Sequence, residues 1–164
     1  MKAWRICNKN YAASAFSGEG AFRYGGRWNS AGVRVVYLGA TPSISVLEAL
    51  VHVSSLSALA ILENVLIPVE FDDALIAKVA TLPPDWDDFP APVSTAAIGD
   101  QWVASGRSLI LRVPSAVLSL EDNYLLNPAH PDISKVVFGS AMPVIIDIRL
   151  QKLYSGVPGI GTIP

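Results

Sequence analysis

FRYGGRWNSAGVRVVYLGATPSISVLEALVH, residues 22–52, is the stretch whose reading decides the fold. Its first part, Tyr24 to Ser30, packs adjacent glycines, a cation and polar or aromatic groups into one loop. Gly25 and Gly26 permit positive φ and close approach of the backbone to a ligand. Arg27 beside them offers a planar fork that matches a phosphate or carboxylate. A plain turn with a solvated arginine fits the same residues, and no Gly-Lys-Ser/Thr follows as in a P-loop. Val33 to Leu38 is rich in β-branched and aromatic residues and predicts a strand ending at Gly39. Val35 and Tyr37 then share one face and Val36 and Leu38 the other. Tyr37 reads equally as a core aromatic with a satisfied hydroxyl.

A helix follows. Thr41 is placed to cap it, Pro42 suits its first position, and the apolar pattern runs to Val53. Ile44, Leu47 and Val51 predict one stripe, with Glu48 inside it. Glu48 is the only charged residue between Thr41 and Val53. An ionised carboxylate on a core-facing stripe is costly unless paired or used. It is either structural, bonded to backbone or to His52, or it lines a cleft.

Several blocks resemble the RES domain family, which is named for an arginine, a glutamate and a serine. They are Gly25-Gly26-Arg27-Trp28-Asn29, Val35-Val36-Tyr37-Leu38 and Leu47-Glu48. Trp4-Arg5-Ile6 and Gly18-Glu19-Gly20 lie upstream. Arg112-Val113-Pro114-Ser115 and the run Asn123-Tyr124-Leu125-Leu126-Asn127-Pro128-Ala129-His130-Pro131 lie downstream. The resemblance implies an α+β fold like that of the ADP-ribosyltransferase toxins. Two packed or bent, mostly antiparallel sheets would carry flanking helices and a cleft. It implies a toxin of a RES–Xre toxin–antitoxin module that depletes NAD by cleaving the nicotinamide–ribose bond, as a glycohydrolase or phosphorylase. Arg27, Tyr37 and Glu48 would be catalytic, and Gly26, Trp28, Asn29, Ser115 and Asn127 would bind substrate. NAD would be the substrate, with no cofactor or metal. The partner would be an Xre-type helix-turn-helix antitoxin that covers the active site.

Composition sets the remaining bounds. The chain has 164 residues, enough for one domain with a sizeable core. Residues 1–154 read as that domain and 155–164 as a flexible Gly/Pro-rich tail. Apolar residues make up 51% and charged residues 16%, against roughly 25% charged in an ordinary soluble domain. Mean hydropathy is +0.41. No run reaches the roughly 18 apolar residues of a membrane span, so the apolar surplus points to a partner or a homo-oligomer. The net charge of −2 disfavours direct nucleic-acid binding. One cysteine, Cys7, and no signal peptide at Met1 to Arg5 suit a cytoplasmic protein.

Elsewhere, residues 3–7 and 64–71 predict strands, Pro68 marking an edge or bulge in the second. Pro83 to Pro90, with three aspartates, reads as a solvated loop. Ser94 is placed to cap a helix reaching about Ala104, with Trp102 and Ile98 inward. Residues 108–113 predict a strand stopped by Pro114. Ser115, just past it, is placed to touch a ligand but lacks a nucleophile elbow and a nearby histidine. Asn127 to Pro131 is a rigid turn, and 135–138 and 144–148 read as closing strands. Arg5 and Arg23 could join Arg27 around a pyrophosphate.

Two other functions fit the same residues. One is transfer of ADP-ribose to a protein. The other is a non-catalytic binding module in which Arg27 and Glu48 merely pair. Val46 stands where many protein-directed relatives of the ADP-ribosyltransferase type carry an acidic residue or Gln, two positions before the glutamate. The apolar neighbours Ile44, Val46, Leu47, Ala49 and Val51 predict a confined wall around Glu48 that admits only a small acceptor, water or phosphate.

Overall fold

The computed structural model describes residues 1–51 and 63–145. Strand β1 (Lys2–Asn8) leads through a 3-10 turn (Lys9–Ser14) to helix α1 (Glu19–Tyr24), strand β2 (Val36–Gly39) and helix α2 (Pro42–Val51). Strands β3 (Asn64–Glu70) and β4 (Ile76–Lys78) precede helix α3 (Val93–Ser105). Then come β5 (Ile110–Pro114), β6 (Asp122–Leu126), β7 (Val137–Phe138) and β8 (Met142–Pro143). The fold is α+β and mostly antiparallel, as the resemblance implies. The strands join in one eight-stranded sheet, ordered β4-β5-β6-β2-β1-β3-β7, with β8 also on β3. Only β4 and β5 run parallel among these pairs. Pro68 sits where β3 passes between its two short partners, and its carbonyl accepts from the Gly139 amide. A missing N–H costs nothing there.

The sheet buries both faces, and strand alternation assigns side chains to each. Val36, Leu38, Ile110, Tyr124 and Leu126 fill one core. Val35, Leu111, Val113 and Leu125 fill the other, against Trp28 and Trp102. Each such side chain contributes about 1.5–3 kcal/mol when removed from water. The second face carries Tyr37, Gly39 and Asn123, because Tyr37 pairs with Leu125 and Gly39 with Asn123 across β2 and β6.

Helix α2 starts as its sequence predicts, with the Ile44 amide donating to Thr41 Oγ1 at 3.2 Å. Its phase differs from the predicted stripe. Ile44 and Ser45 are buried, whereas Leu47 and Val51 are 38% and 56% exposed. The cause is Gly39, which a Cβ would bring to 2.4 Å from Ser45 Oγ. The bare strand lets the helix pack closely on its 44–45 edge, and Ser45 Oγ donates to the carbonyls of Trp4 and Thr41. Glu48 follows on the same inward side, one turn on. Helix α3 also departs from expectation at its start. Pro92 takes the cap position, and Ser94, inside the helix, donates to Asp85 Oδ1 at 2.8 Å. No helix among the described residues is long and apolar enough to cross a membrane. His52, residues 56–62, 146–148 and 155–164 lie outside the described residues.

Helix α3 clamps the glycine-rich loop from above. Asp100 Oδ1 accepts from the Ser30 amide at 2.9 Å, and Gly99 lies directly against the Trp28 backbone. A Cβ on Gly99 would stand 1.7 Å from the Trp28 carbonyl oxygen. Gly99→Ala is therefore expected to destabilise the fold by about 3 kcal/mol or more, the clash outweighing the helix propensity of about 1 kcal/mol that alanine gains. Denaturant unfolding measures it, and an unchanged midpoint would show that α3 does not press on this loop.

Candidate functional site

Glu48 is held by uncharged donors from two strands. Ser115 Oγ donates to Glu48 Oε1 at 2.7 Å, and Asn123 Nδ2 donates to the same oxygen at 2.6 Å. Ser115 directly follows β5, where Pro114 ends the ladder, and is fully buried. It is thus a partner of the glutamate, not an open ligand contact. The apolar wall predicted around Glu48 is replaced at its carboxylate by these two polar groups. Asn123 went unassigned in the sequence. Its only signal there is membership in the same block as Asn127.

Arg27 reaches a different set of partners. Its Nη1 donates to the carbonyls of Trp86 at 2.7 Å and Asp88 at 2.9 Å. The loop that supplies these carbonyls is pinned by Ser94 on Asp85 and by Trp86 packing on the sheet's second face. A guanidinium carries five N–H groups, so Nε and Nη2 keep donors for an anion. Arg27 and Glu48 do not form an ion pair with each other; their partners are backbone carbonyls and neutral side chains.

Tyr37 is engaged with the loop. Its hydroxyl donates to Asn29 Oδ1 at 2.7 Å and accepts from the Trp28 amide at 3.0 Å. Burial raises its pKa above that of an ordinary tyrosine; the Trp28 amide and the Arg27 charge oppose this, while the Asp100 and Glu48 charges add to it. The hydroxyl thus feels both Arg27 and Glu48 and stays protonated. Gly26 is required by this contact, because a Cβ there would meet the Tyr37 hydroxyl at 2.5 Å. Trp28 and Asn29, expected to bind substrate, are 2% and 1% exposed. Asn29 Nδ2 donates to the carbonyls of Ala21, Ser30 and Val33, each at 3.0 Å, so its hydrogen-bonding capacity is spent inside the loop. Both residues shape the Arg27 loop from beneath.

Other candidates stand elsewhere. Asn127 follows the far end of β6, four residues from Asn123, and its Oδ1 accepts from the Ala129 amide. It holds the turn and is not brought to Glu48. Arg5 is buried and donates to the carbonyls of Ala15 and Tyr37, with burial lowering its pKa. Arg23 pairs with Glu19, which also pairs with Arg34. Neither Arg5 nor Arg23 joins Arg27 in an anion site.

Removing the Tyr37 hydroxyl leaves a buried acceptor on Asn29 and a buried donor on Trp28 without partners. Tyr37→Phe is therefore expected to cost about 1–3 kcal/mol. A thermal melt compared with wild type tests it, and an equal or higher melting temperature would mean that the hydroxyl does not lock the loop.

The RES domain model matches residues 2–147. Toxin Res of Yersinia enterocolitica is 40% identical over 79% of this chain and 86% of its own length. The Prs ADP-ribosylating toxin of a Sphingobium species is 41% identical over 91% of this chain and 96% of its own. A chain of the M. tuberculosis MbcT–MbcA toxin–antitoxin complex superposes with a TM-score of 0.68 over 95% of this chain and 89% of its own. That likeness, at 17% identity, speaks for the fold. The arginine loop, the glutamate helix and the serine after β5 thus lie within one family match spanning nearly the whole sequence, and the chain belongs to the RES domain family.

Proposed function

We propose that this protein is the toxin of a toxin–antitoxin module and depletes NAD by cleaving the nicotinamide–ribose bond. The observation that carries the reading is the pair of separately held charges on one side of the sheet. The Glu48 carboxylate is fixed by Ser115 and Asn123, and the Arg27 guanidinium by two carbonyls. Relatives named as toxins support the coarser reading. In the proposed reaction Arg27 grips the pyrophosphate through its remaining donors. Glu48 Oε2 faces the ribose. As the glycosidic bond breaks, nicotinamide leaves with the bonding pair and the ribose becomes oxocarbenium-like. The carboxylate stabilises that positive charge, and water or phosphate adds at the anomeric carbon. Tyr37 keeps the Arg27 loop in register beneath the ligand.

A second reading, transfer of ADP-ribose to a protein, is favoured by the name of the Sphingobium relative. The predicted apolar wall that argued for a small acceptor is interrupted at Glu48 by Ser115 and Asn123, so the geometry no longer selects by acceptor size. Mass spectrometry of lysate incubated with labelled NAD separates the two readings. Free ADP-ribose or its phosphate supports the first, and stoichiometric label on a discrete protein supports the second.

Glu48→Gln keeps the side-chain shape and removes the charge. It is expected to lower nicotinamide release by at least about 10²-fold with the fold intact. Arg27→Ala is expected to act mainly through a raised KM for NAD. Undiminished turnover in Glu48→Gln would remove the glutamate from the chemistry. An antitoxin that blocks the cleft between Arg27 and Glu48 is the proposed partner, of the Xre helix-turn-helix type. Co-expression of a neighbouring gene of that type should restore both NAD and growth. Persistent NAD loss in a purified stable complex would show that the partner does not cover the site.

A further inference from the structure

Two elements that are separate in sequence converge on one oxygen of Glu48. Ser115 Oγ accepts the amides of Val117 and Leu118, each at 3.1 Å, which occupies its lone pairs and aims its single proton at Oε1. Asn123 lies on β6 opposite Gly39 of β2 and Val113 of β5. Facing a glycine, it meets no cross-strand side chain on that side, and its carboxamide reaches Oε1 at 2.6 Å. Both donors therefore use the same oxygen. Among the described residues no hydrogen-bond donor reaches Oε2.

We propose that Asn123 is a positioning residue for the reaction. With Ser115 it forms a two-point clamp that fixes the plane of the Glu48 carboxylate and turns Oε2 to the substrate. The terminal torsion of a glutamate is broad and weakly restrained by itself. One hydrogen bond to Oε1 still allows rotation about it. A second, from a different strand, removes that freedom before substrate arrives, which is where positioning lowers a barrier. Ser115 alone could hold the helix against the sheet. Only the second donor sets the direction of the free oxygen. The role assigned to Asn123 rests on the NAD-cleaving reading of Glu48, while the clamp itself is a contact that can be measured without turnover.

The test uses Asn123→Asp and Asn123→Ala in the full chain. Asn123→Asp is nearly isosteric and replaces the donor with an acceptor. It is expected to lower kcat for NAD loss about 10²-fold with KM changed little. As pH falls through the carboxyl range the introduced group gains a proton and donates again, so its activity relative to wild type should rise. Glu48 from α2 and Tyr37 from β2 are the titratable groups that face it, while Arg112 and Asp122 are paired with each other. Asn123→Ala should lose activity equally and show no such recovery in acid. A merely structural asparagine would give the same pH profile in both variants, and that outcome overturns the proposal, as does wild-type kcat in Asn123→Ala. A double-mutant cycle of Asn123→Asp with Glu48→Gln, read by melting temperature, makes the contact independent of turnover. The pair is expected to recover stability lost by Asn123→Asp alone, because the glutamine amide can donate to the new carboxylate. Additive melting shifts would show that no clamp exists. If wild type consumes no NAD, the proposed function falls, and the cycle still decides whether Asn123 holds Glu48.

Discussion

Gly39 is the constraint on which the site depends. It lies on β2 between Trp4 of β1 and Asn123 of β6, at the point where α2 begins to cross the sheet. With no side chain there, Ser45 and Ile44 descend onto the strand, and Ser45 bonds to the carbonyl of Trp4. The same bare position leaves the cross-strand space through which Asn123 reaches Glu48. A larger residue would lift the helix and fill that space together. The depth of α2 and the placement of its one carboxylate are thus consequences of a single missing Cβ.

The arginine loop is held by a comparable economy. Tyr37 leaves the strand, passes Gly26 and locks Asn29 and the Trp28 amide, while Gly99 and Asp100 close the loop from α3. The loop's own polar groups are satisfied inward by Asn29, so the Arg27 guanidinium is the group it turns away from that core. Its carbonyl partners come from a loop some sixty residues later in the chain, residues 86 and 88. The position of the Arg27 guanidinium is therefore set by tertiary contact with α3 and its approach, not by the glycine-rich motif alone.

Much of this was legible in the sequence, and the failures have physical causes. The Thr41–Pro42 start of α2 was readable because capping is local. The phase of α2 was not. Its residues are apolar or small on nearly every side, so periodicity offers Leu47 and Val51 as readily as Ile44 and Ser45, and the contact with Gly39 decides. Trp28 and Asn29 sit in the motif that signals ligand binding, yet α3 covers Trp28 from far along the chain, and Asn29 turns inward to the carbonyls of Ala21, Ser30 and Val33. The strand β6 was not anticipated as an element at all. Its five residues are too few to show alternation clearly, and one of its two neighbours in the sheet, β2, is distant in sequence. Asn123 was missed for the same reason, since its value lies in a register that only the assembled sheet supplies.

The separation of Arg27 from Glu48 bears on what the site can bind. Had the two side chains paired, a ligand would have to break an ion pair before using either charge, and the pair's desolvation would already be spent. Here each charge is held by neutral groups that fix its position without cancelling its field. A dinucleotide with an anionic pyrophosphate and a cationic nicotinamide presents the complementary arrangement, negative charge for Arg27 and positive charge for Glu48. The attraction at the ribose grows where water is excluded, because the effective dielectric falls. In the proposed cleavage the positive charge moves from the nicotinamide ring onto the ribose, and the nicotinamide departs neutral. A carboxylate fixed beside the ribose gains interaction energy in that step, whereas one free to follow the ring would not. This is the physical reason that, in the proposed reaction, the direction of Oε2 should govern the rate together with the charge it carries.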